Sequence, residues 1–177
     1  MHAARRAVRV PARFWGRRLM STAEAKIADL GHTLPDVTAP KGTYVLAQQT
    51  GNLLFTAGHL PQTPHGDGTD APFVTGKVGE DLDVNAGYRA AQYAALSLMA
   101  TIKHTVGDLD KVRFVKLVGF VNSTNDFIEQ PAVINGASDL IGEVFGDRGA
   151  HARSAVGVNT LPLNVSVEIE AVVEIVE

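Results

Sequence analysis

A chain of 177 residues, 45% of them hydrophobic, is long enough for one domain with its own core and too short for two full domains. The absence of cysteine excludes disulfides, cysteine-based zinc sites and a thiolate nucleophile. Six of the 16 basic residues precede Met20, so the rest of the chain carries ten basic residues against 19 acidic ones, a net charge of −9. Such a body repels a phosphate backbone, and nucleic acid is therefore an unfavoured partner.

The first 20 residues differ in composition from everything that follows. They are rich in arginine and apolar side chains, and no acidic residue occurs before Glu24. This composition is typical of a mitochondrial targeting peptide, although Pro11 and the lack of serine also fit a solvated tail ahead of a start at Met20. We therefore expect a basic extension over residues 1–20, one domain over residues 21–177, and a mitochondrial or cytoplasmic location. No stretch has the ~20 apolar residues of a membrane span, so no membrane partner is expected.

The first predicted elements are a short helix and a hairpin. Residues 22–30 have helical composition, and Gly31 is suited to end the helix in the left-handed conformation. Two apolar runs, residues 44–47 and 53–56, predict strands joined by the turn Thr50-Gly51-Asn52.

A long loop and a long helix come next. The prolines and glycines between His59 and Leu82 predict an irregular segment of the kind that often borders a site. Asp83 can then cap a helix that Gly107 ends. Apolar positions recur along it at spacings of three and four: Val84, Tyr88, Ala91, Ala95, Leu98, Ile102 and Val106.

A central strand and a second helix are predicted from residue 112 onward. The run 112–121 is apolar at both odd and even positions, which predicts a strand buried on both faces. Pro131 suits the first turn of a helix that Gly146 ends. The apolar side of this helix comprises Ile134, Ala137, Ile141, Val144 and Phe145.

Two strands, residues 152–158 and 165–176, complete the predicted fold. Along the last one every odd position from Val165 to Ile175 is apolar, whereas Glu168, Glu170 and Glu174 share the other face. The order of elements is that of an α+β sandwich in which two helices cover one face of a sheet. The uncovered face is a natural surface for self-association, which could enclose Glu168 or Glu170 between copies.

Arg153 and the glutamates of the last strand form the candidate site. We expect their strands to be antiparallel neighbours, so that the side chains can face each other. A guanidinium can hold a ligand carboxylate by two parallel hydrogen bonds, and a glutamate can orient or deprotonate water. The alternative is a surface ion pair between the strands. The six histidines show no metal-ligand spacing, and no metal site is predicted.

The chain resembles the Rid (reactive intermediate deaminase) family, also called YjgF-like or endoribonuclease L-PSP. The specific match is the block from Ala152-Arg153-Ser154 through Leu161-Pro162 to Glu168-Ile169-Glu170-Ala171. Shorter matches occur in the same order: Gly42-Thr43-Tyr44-Val45, Ala57-Gly58-His59-Leu60-Pro61, Gly107-Asp108-Leu109, Phe120-Val121-Asn122 and Asp126-Phe127.

The resemblance implies a chorismate-mutase-like sandwich with a mixed sheet, a homotrimer with sites between subunits, and no cofactor. It implies hydrolysis of 2-imino or enamine acids to 2-keto acids and ammonia. Arg153 would bind the substrate carboxylate and Glu168 would position the water. Tyr44, Ala155 and Asn135 would complete the pocket.

Three departures from the family pattern bear on activity. Ala155 stands where many relatives carry cysteine, the segment between Phe127 and Arg153 differs in length, and the loop over residues 62–79 is longer. The open alternatives are a trimer that binds keto acids without turnover and, less favoured by charge, an endoribonuclease.

Overall fold

The computed structural model describes residues 22–64 and 71–176; the basic extension predicted over residues 1–20 lies outside them. The elements are α1 (Thr22–Asp29), β1 (Ala47–Thr50), β2 (Leu53–Thr56), α2 (Val84–Val106), β3 (Val112–Asn122), α3 (Gln130–Phe145), β4 (Ala152–Val158) and β5 (Val167–Ile175). Short 3₁₀ turns lie at Leu109–Lys111, Gly146–Gly149 and Pro162–Asn164. The predicted number, type and order of the main elements are confirmed.

The five strands form one mixed sheet in the order β1-β2-β5-β3-β4. Strands β3 and β4 are parallel, and the other neighbouring pairs are antiparallel. The prediction that β4 and β5 are antiparallel neighbours is wrong, because β3 lies between them. The reason is α3, which serves as the crossover that brings β4 alongside β3 in parallel, so that β5 pairs with the other edge of β3.

The helices α2 and α3 lie on the same side of the sheet, as predicted, and pack closely against each other. The side chain of Asp83 accepts a 2.6 Å hydrogen bond from the amide of Ala86 at the start of α2, and Gly107 ends it with φ of 86°. At Gly136 a Cβ would lie 2.0 Å from the carbonyl oxygen of Tyr88, so only glycine permits this approach of α3 to α2.

The hairpin differs from the prediction in its first strand. Gly51, with φ of 58°, and Asn52 form a two-residue turn that pairs Thr50 with Leu53. This register makes residues 47–50 the strand and leaves Tyr44 outside it in a bend, where 54% of the residue is exposed. The apolar run over residues 44–47 therefore does not mark the bounds of β1, because the geometry of the turn determines which residues pair.

Strand β3 is buried on the helix-facing side only, contrary to the prediction of burial on both faces. A bulge between Phe114 and Lys116 interrupts the alternation, so Phe114 and Leu117 both lie in the core while Val115 is exposed. The alternation predicted for the last strand is confirmed from Val165 to Val173, whose odd positions are buried, whereas Ile175 at the end of β5 is only partly buried. The even positions from Glu168 lie on the other face, which none of the described helices covers; we call it the uncovered face.

Candidate functional site

Arg153 lies on β4, at the edge of the sheet, and its side chain reaches α3. Leu117 pairs with both Arg153 and Ala171, and Leu117 is fully buried beneath the helices, so this row faces the helices. Arg153 Nη1 donates to Asn135 Oδ1 at 2.8 Å and to Ser138 Oγ at 3.0 Å. Its Nη2 donates to the carbonyl oxygen of Pro131 at 3.3 Å.

Within the described residues, the guanidinium of Arg153 donates to neutral oxygens. Among residues 22–64 and 71–176 no carboxylate lies within 4.0 Å of it, so its charge has no ionic partner there. The alternative of a surface ion pair to the neighbouring strand is therefore wrong. An arginine carries five N–H donors, and three are used, which leaves Nε–H and one hydrogen of Nη2. Two donors are the number that a bidentate carboxylate requires.

Around Arg153 the structure gathers a set that we call the arginine half-site: Asn135, Ser138, His151, Arg153 and Ala155. Ser138, His151 and Arg153 line an open cavity of about 410 Å³. Asn135, predicted as a pocket residue, does lie at Arg153. Ala155, two residues along the same strand, packs partly buried against the core, so its small side chain leaves the strand edge unobstructed.

Glu168 lies on the opposite face of the sheet. It pairs with Phe120, whose other partner in the row is Val156. Its carboxylate packs against Gly58, where a Cβ would lie 1.8 Å from Glu168 Oε1. Partial burial, and then the charge of Glu170, raise the pKa of Glu168 above its ordinary value. The half-buried Glu168 is thus a candidate to accept or release a proton.

Tyr44 lies on the Gly58 side of the molecule. Both residues line a cavity of about 300 Å³, together with Pro162 and Leu163 from the turn before β5. Leu163 and the following Asn164 have φ near 57° and 55°, a conformation uncommon for residues other than glycine. We call Tyr44, Gly58, Glu168, Pro162 and Leu163 the glutamate half-site.

One chain does not bring the two half-sites together. Arg153 faces the helices at the β4 edge, whereas Glu168 lies on the uncovered face of β5, with β3 between the two strands. The sequence placed these residues on adjacent strands, face to face, and that geometry is absent within the described part of the chain. A site containing both groups requires a second copy.

His59 and His151 lie in different environments. His59 is buried and bonded through Nδ1 to Ala57 O and through Nε2 to Thr101 Oγ1. Burial lowers the pKa of His59 to about 4, against the raising effect of the bond to Ala57, so the ring is neutral and packs in the core.

His151 lies in the arginine half-site, where its ring contacts Ser138. The sequence analysis assigned no role to Ser138. The feature that could have indicated one is its position three residues after Asn135 on α3, which places both side chains on the same face of the helix.

The described residues contain no cluster of three or more histidine, aspartate or glutamate side chains suited to a metal ion. No helix within residues 22–64 and 71–176 has both the length and the apolar character needed to cross a membrane.

Comparison with known proteins agrees with this architecture. Residues 24–175 match the family described as "YjgF/chorismate mutase-like, putative endoribonuclease". Protein TCP17 of Trypanosoma cruzi is 44% identical over 153 residues, which cover 85% of this chain and 92% of that protein. The 2-iminobutanoate/2-iminopropanoate deaminase of Escherichia coli is 31% identical over 147 residues, covering 81% and 97% of the two chains.

A solved structure extends the agreement to three dimensions. The crystal structure of Atu1372 from Agrobacterium tumefaciens, a protein of unknown function, superposes with a TM-score of 0.79 at 46% identity and covers 87% of this chain and 92% of that one. The mixed five-stranded sheet with its two helices is the fold of the same family. The chain therefore belongs to the YjgF/chorismate mutase-like family.

Proposed function

We propose that this protein hydrolyses 2-imino acids to 2-keto acids and ammonia. Water adds to the imine carbon, the resulting carbinolamine loses its nitrogen as ammonia, and the carbonyl forms, so no redox partner is needed. The observation that carries the proposal is Arg153, an uncompensated guanidinium with two N–H donors left over at an open cavity. The deaminase name of a relative at 31% identity supports the choice of reaction.

Arg153 binds the carboxylate of the substrate in this proposal. Its remaining Nε–H and Nη2–H donate to the two carboxylate oxygens, while Asn135 and Ser138 hold Nη1 in place. A guanidinium keeps its charge at any working pH and its planar fork matches a carboxylate. The imine carbon, attached directly to that carboxylate, is thereby held close to the arginine.

Glu168 orients the attacking water and takes its proton. Burial and the neighbouring Glu170 raise the pKa of this carboxylate, which strengthens it as a base relative to an exposed glutamate. The same group can return the proton to the departing nitrogen. Tyr44 and the backbone near Ala155 complete the pocket in this proposal.

The two half-sites meet between subunits of a homotrimer. Within one chain they lie on opposite faces of the sheet, so the arginine half-site of one copy must meet the glutamate half-site of the next. The uncovered face carries apolar side chains suited to such a contact, among them Phe55 at 45% and Val156 at 43% exposure. Closed cyclic symmetry would then give identical sites at every interface.

The direct test is an assay with freshly generated 2-iminobutanoate or 2-iminopropanoate. We expect the protein to raise the rate of keto acid formation above that in buffer, together with a mass of three chains in analytical ultracentrifugation. A rate equal to that of buffer would contradict the proposal.

Gly58→Ala probes how Glu168 is placed. The added Cβ would overlap Glu168 Oε1, which lies at the free end of a flexible side chain, so the carboxylate can swing away at little cost in stability. We expect kcat for imine hydrolysis to fall at least tenfold, since small displacements of catalytic groups are costly, with an unchanged melting temperature. Equal kcat values for wild type and Gly58→Ala would argue against this placement.

A second candidate is a trimer that binds keto acids without turning them over. It is favoured by the arginine half-site, which is complete in one chain and can grip a carboxylate without Glu168. It predicts saturable binding of 2-ketobutyrate in calorimetry and no acceleration of imine hydrolysis. An endoribonuclease is disfavoured by the net charge of −9 after residue 19. RNA cleavage by the protein lacking residues 1–19, lost in the Arg153→Ala variant, would instead support an endoribonuclease.

A further inference from the structure

A chain of hydrogen bonds runs from the backbone through His151 and Ser138 to Arg153. His151 Nδ1 lies 2.6 Å from the carbonyl oxygen of Gly149. His151 Nε2 lies 3.0 Å from Ser138 Oγ, and Ser138 Oγ lies 3.0 Å from Arg153 Nη1. The residues come from two elements: His151 and Arg153 flank Ala152 on one extended segment, and Ser138 faces them from α3.

The two ends of this chain determine the direction of its two outer bonds. A carbonyl oxygen can only accept, so Nδ1 of His151 carries the hydrogen that is donated to Gly149. A guanidinium can only donate, so Ser138 Oγ accepts from Arg153. With Nδ1 as the donor to Gly149, the ring in its neutral form has a lone pair on Nε2, and the serine hydroxyl can donate its one hydrogen to it.

The ring of His151 is also fixed by packing. It lies 6.3 Å from the ring of Phe114, centroid to centroid, with the planes tilted by 56°. Phe114 is buried in the core. The histidine is therefore anchored at one nitrogen by the backbone and lies beside a core aromatic ring, which leaves the other nitrogen at a defined position against Ser138.

We propose that His151 and Ser138 are positioning residues that hold the guanidinium of Arg153 in the orientation that recognises a substrate carboxylate. Ser138 takes one Nη1 hydrogen and Asn135 the other, so the fork cannot rotate, and Nε–H and Nη2–H stay directed at the ligand. His151 acts through Ser138, since it orients the hydroxyl so that an oxygen lone pair, and not its hydrogen, faces the arginine. The proposal rests on the proposed role of Arg153 as the carboxylate-binding group.

The test is calorimetric binding of 2-ketobutyrate and of its primary amide, which lacks the charge, to the full-length protein. Ser138→Ala is expected to weaken 2-ketobutyrate binding about tenfold and to leave the amide unchanged. His151→Phe keeps the ring packing but cannot accept a hydrogen bond, and we expect a smaller loss of the same kind. Ser138→Thr retains a hydroxyl and should restore most of the affinity. His104→Phe on α2 is the matched control for the histidine.

The double variant separates a relay from two independent contacts. If His151 acts through Ser138, His151→Phe adds no further loss once Ser138 is alanine. Additive losses, or equal losses for the keto acid and the amide, would overturn the proposal. NMR of the Arg153 guanidinium gives a readout without ligand: slow rotation about the Cζ–Nη1 bond in the wild type and faster rotation in Ser138→Ala. Equal rotation rates would also overturn it. Wild-type binding without imine hydrolysis would refute the proposed function and leave this test intact.

Discussion

Arg153→Ala is expected to abolish the acceleration of imine hydrolysis, with kcat/KM reduced at least 100-fold. The substrate carboxylate would lose both hydrogen bonds and the only uncompensated positive charge that the arginine half-site contains. Arg153→Lys should recover little, because one ammonium group cannot contact Asn135, Ser138 and a carboxylate together in the planar arrangement of a fork. The measurement is steady-state hydrolysis of 2-iminobutanoate by each variant.

The control for this change is Arg113→Ala. Arg113 lies on β3, is largely exposed, contacts Glu174 at 3.6 Å and does not line the cavity at Arg153. Its loss should leave kcat/KM near that of the wild type. Full activity of the Arg153→Ala variant, with the melting temperature unchanged in both variants, would show that Arg153 does not bind the substrate.

Glu168→Gln is expected to lower kcat by roughly 10²–10⁴-fold, the range attributed to general acid–base groups, without loss of stability. Glutamine keeps the shape that packs on Gly58 but cannot take a proton from water. Glu170→Gln should retain most of kcat. Because the charge of Glu170 contributes to the raised pKa of Glu168, its removal should move the acid limb of the pH profile to lower pH.

The raised pKa of Glu168 also gives a stability prediction with a definite sign. The folded protein binds this proton more tightly than the unfolded chain, so the contribution to stability is full below the unfolded pKa and is lost as pH rises through the raised folded pKa. Glutamine has no such loss. The melting temperature of Glu168→Gln relative to wild type should therefore increase across that interval. A variant that became relatively less stable on alkalinisation would contradict this account.

The helices and strands could be predicted because caps and side-chain periodicity depend on residues that are close in sequence. Asp83 and Gly107 delimit α2, and the alternation along β5 identified its buried face. The bulge at Val115 and the start of β1 were missed, because they depend on the register with partner strands.

The site was predicted in its residue types but not in its geometry. Arg153 and Asn135 do meet, although 18 positions apart, because α3 folds back over β4. Arg153 and Glu168 were expected to face each other because the link between their strands is short. Strand order is set by the crossover through α3, which composition does not reveal. Ser138 and His151 were not predicted as a pair, since each alone is a common polar residue.

The most direct test of the central claim is to mix the two inactive variants. Chains carrying Arg153→Ala and chains carrying Glu168→Gln are unfolded, combined in equal amounts and refolded together, and imine hydrolysis is measured. If each site takes its arginine from one chain and its glutamate from the next, about a quarter of the interfaces in randomly assembled trimers are intact, and activity returns to that level. Mixtures no more active than the separate variants would contradict a site shared between subunits.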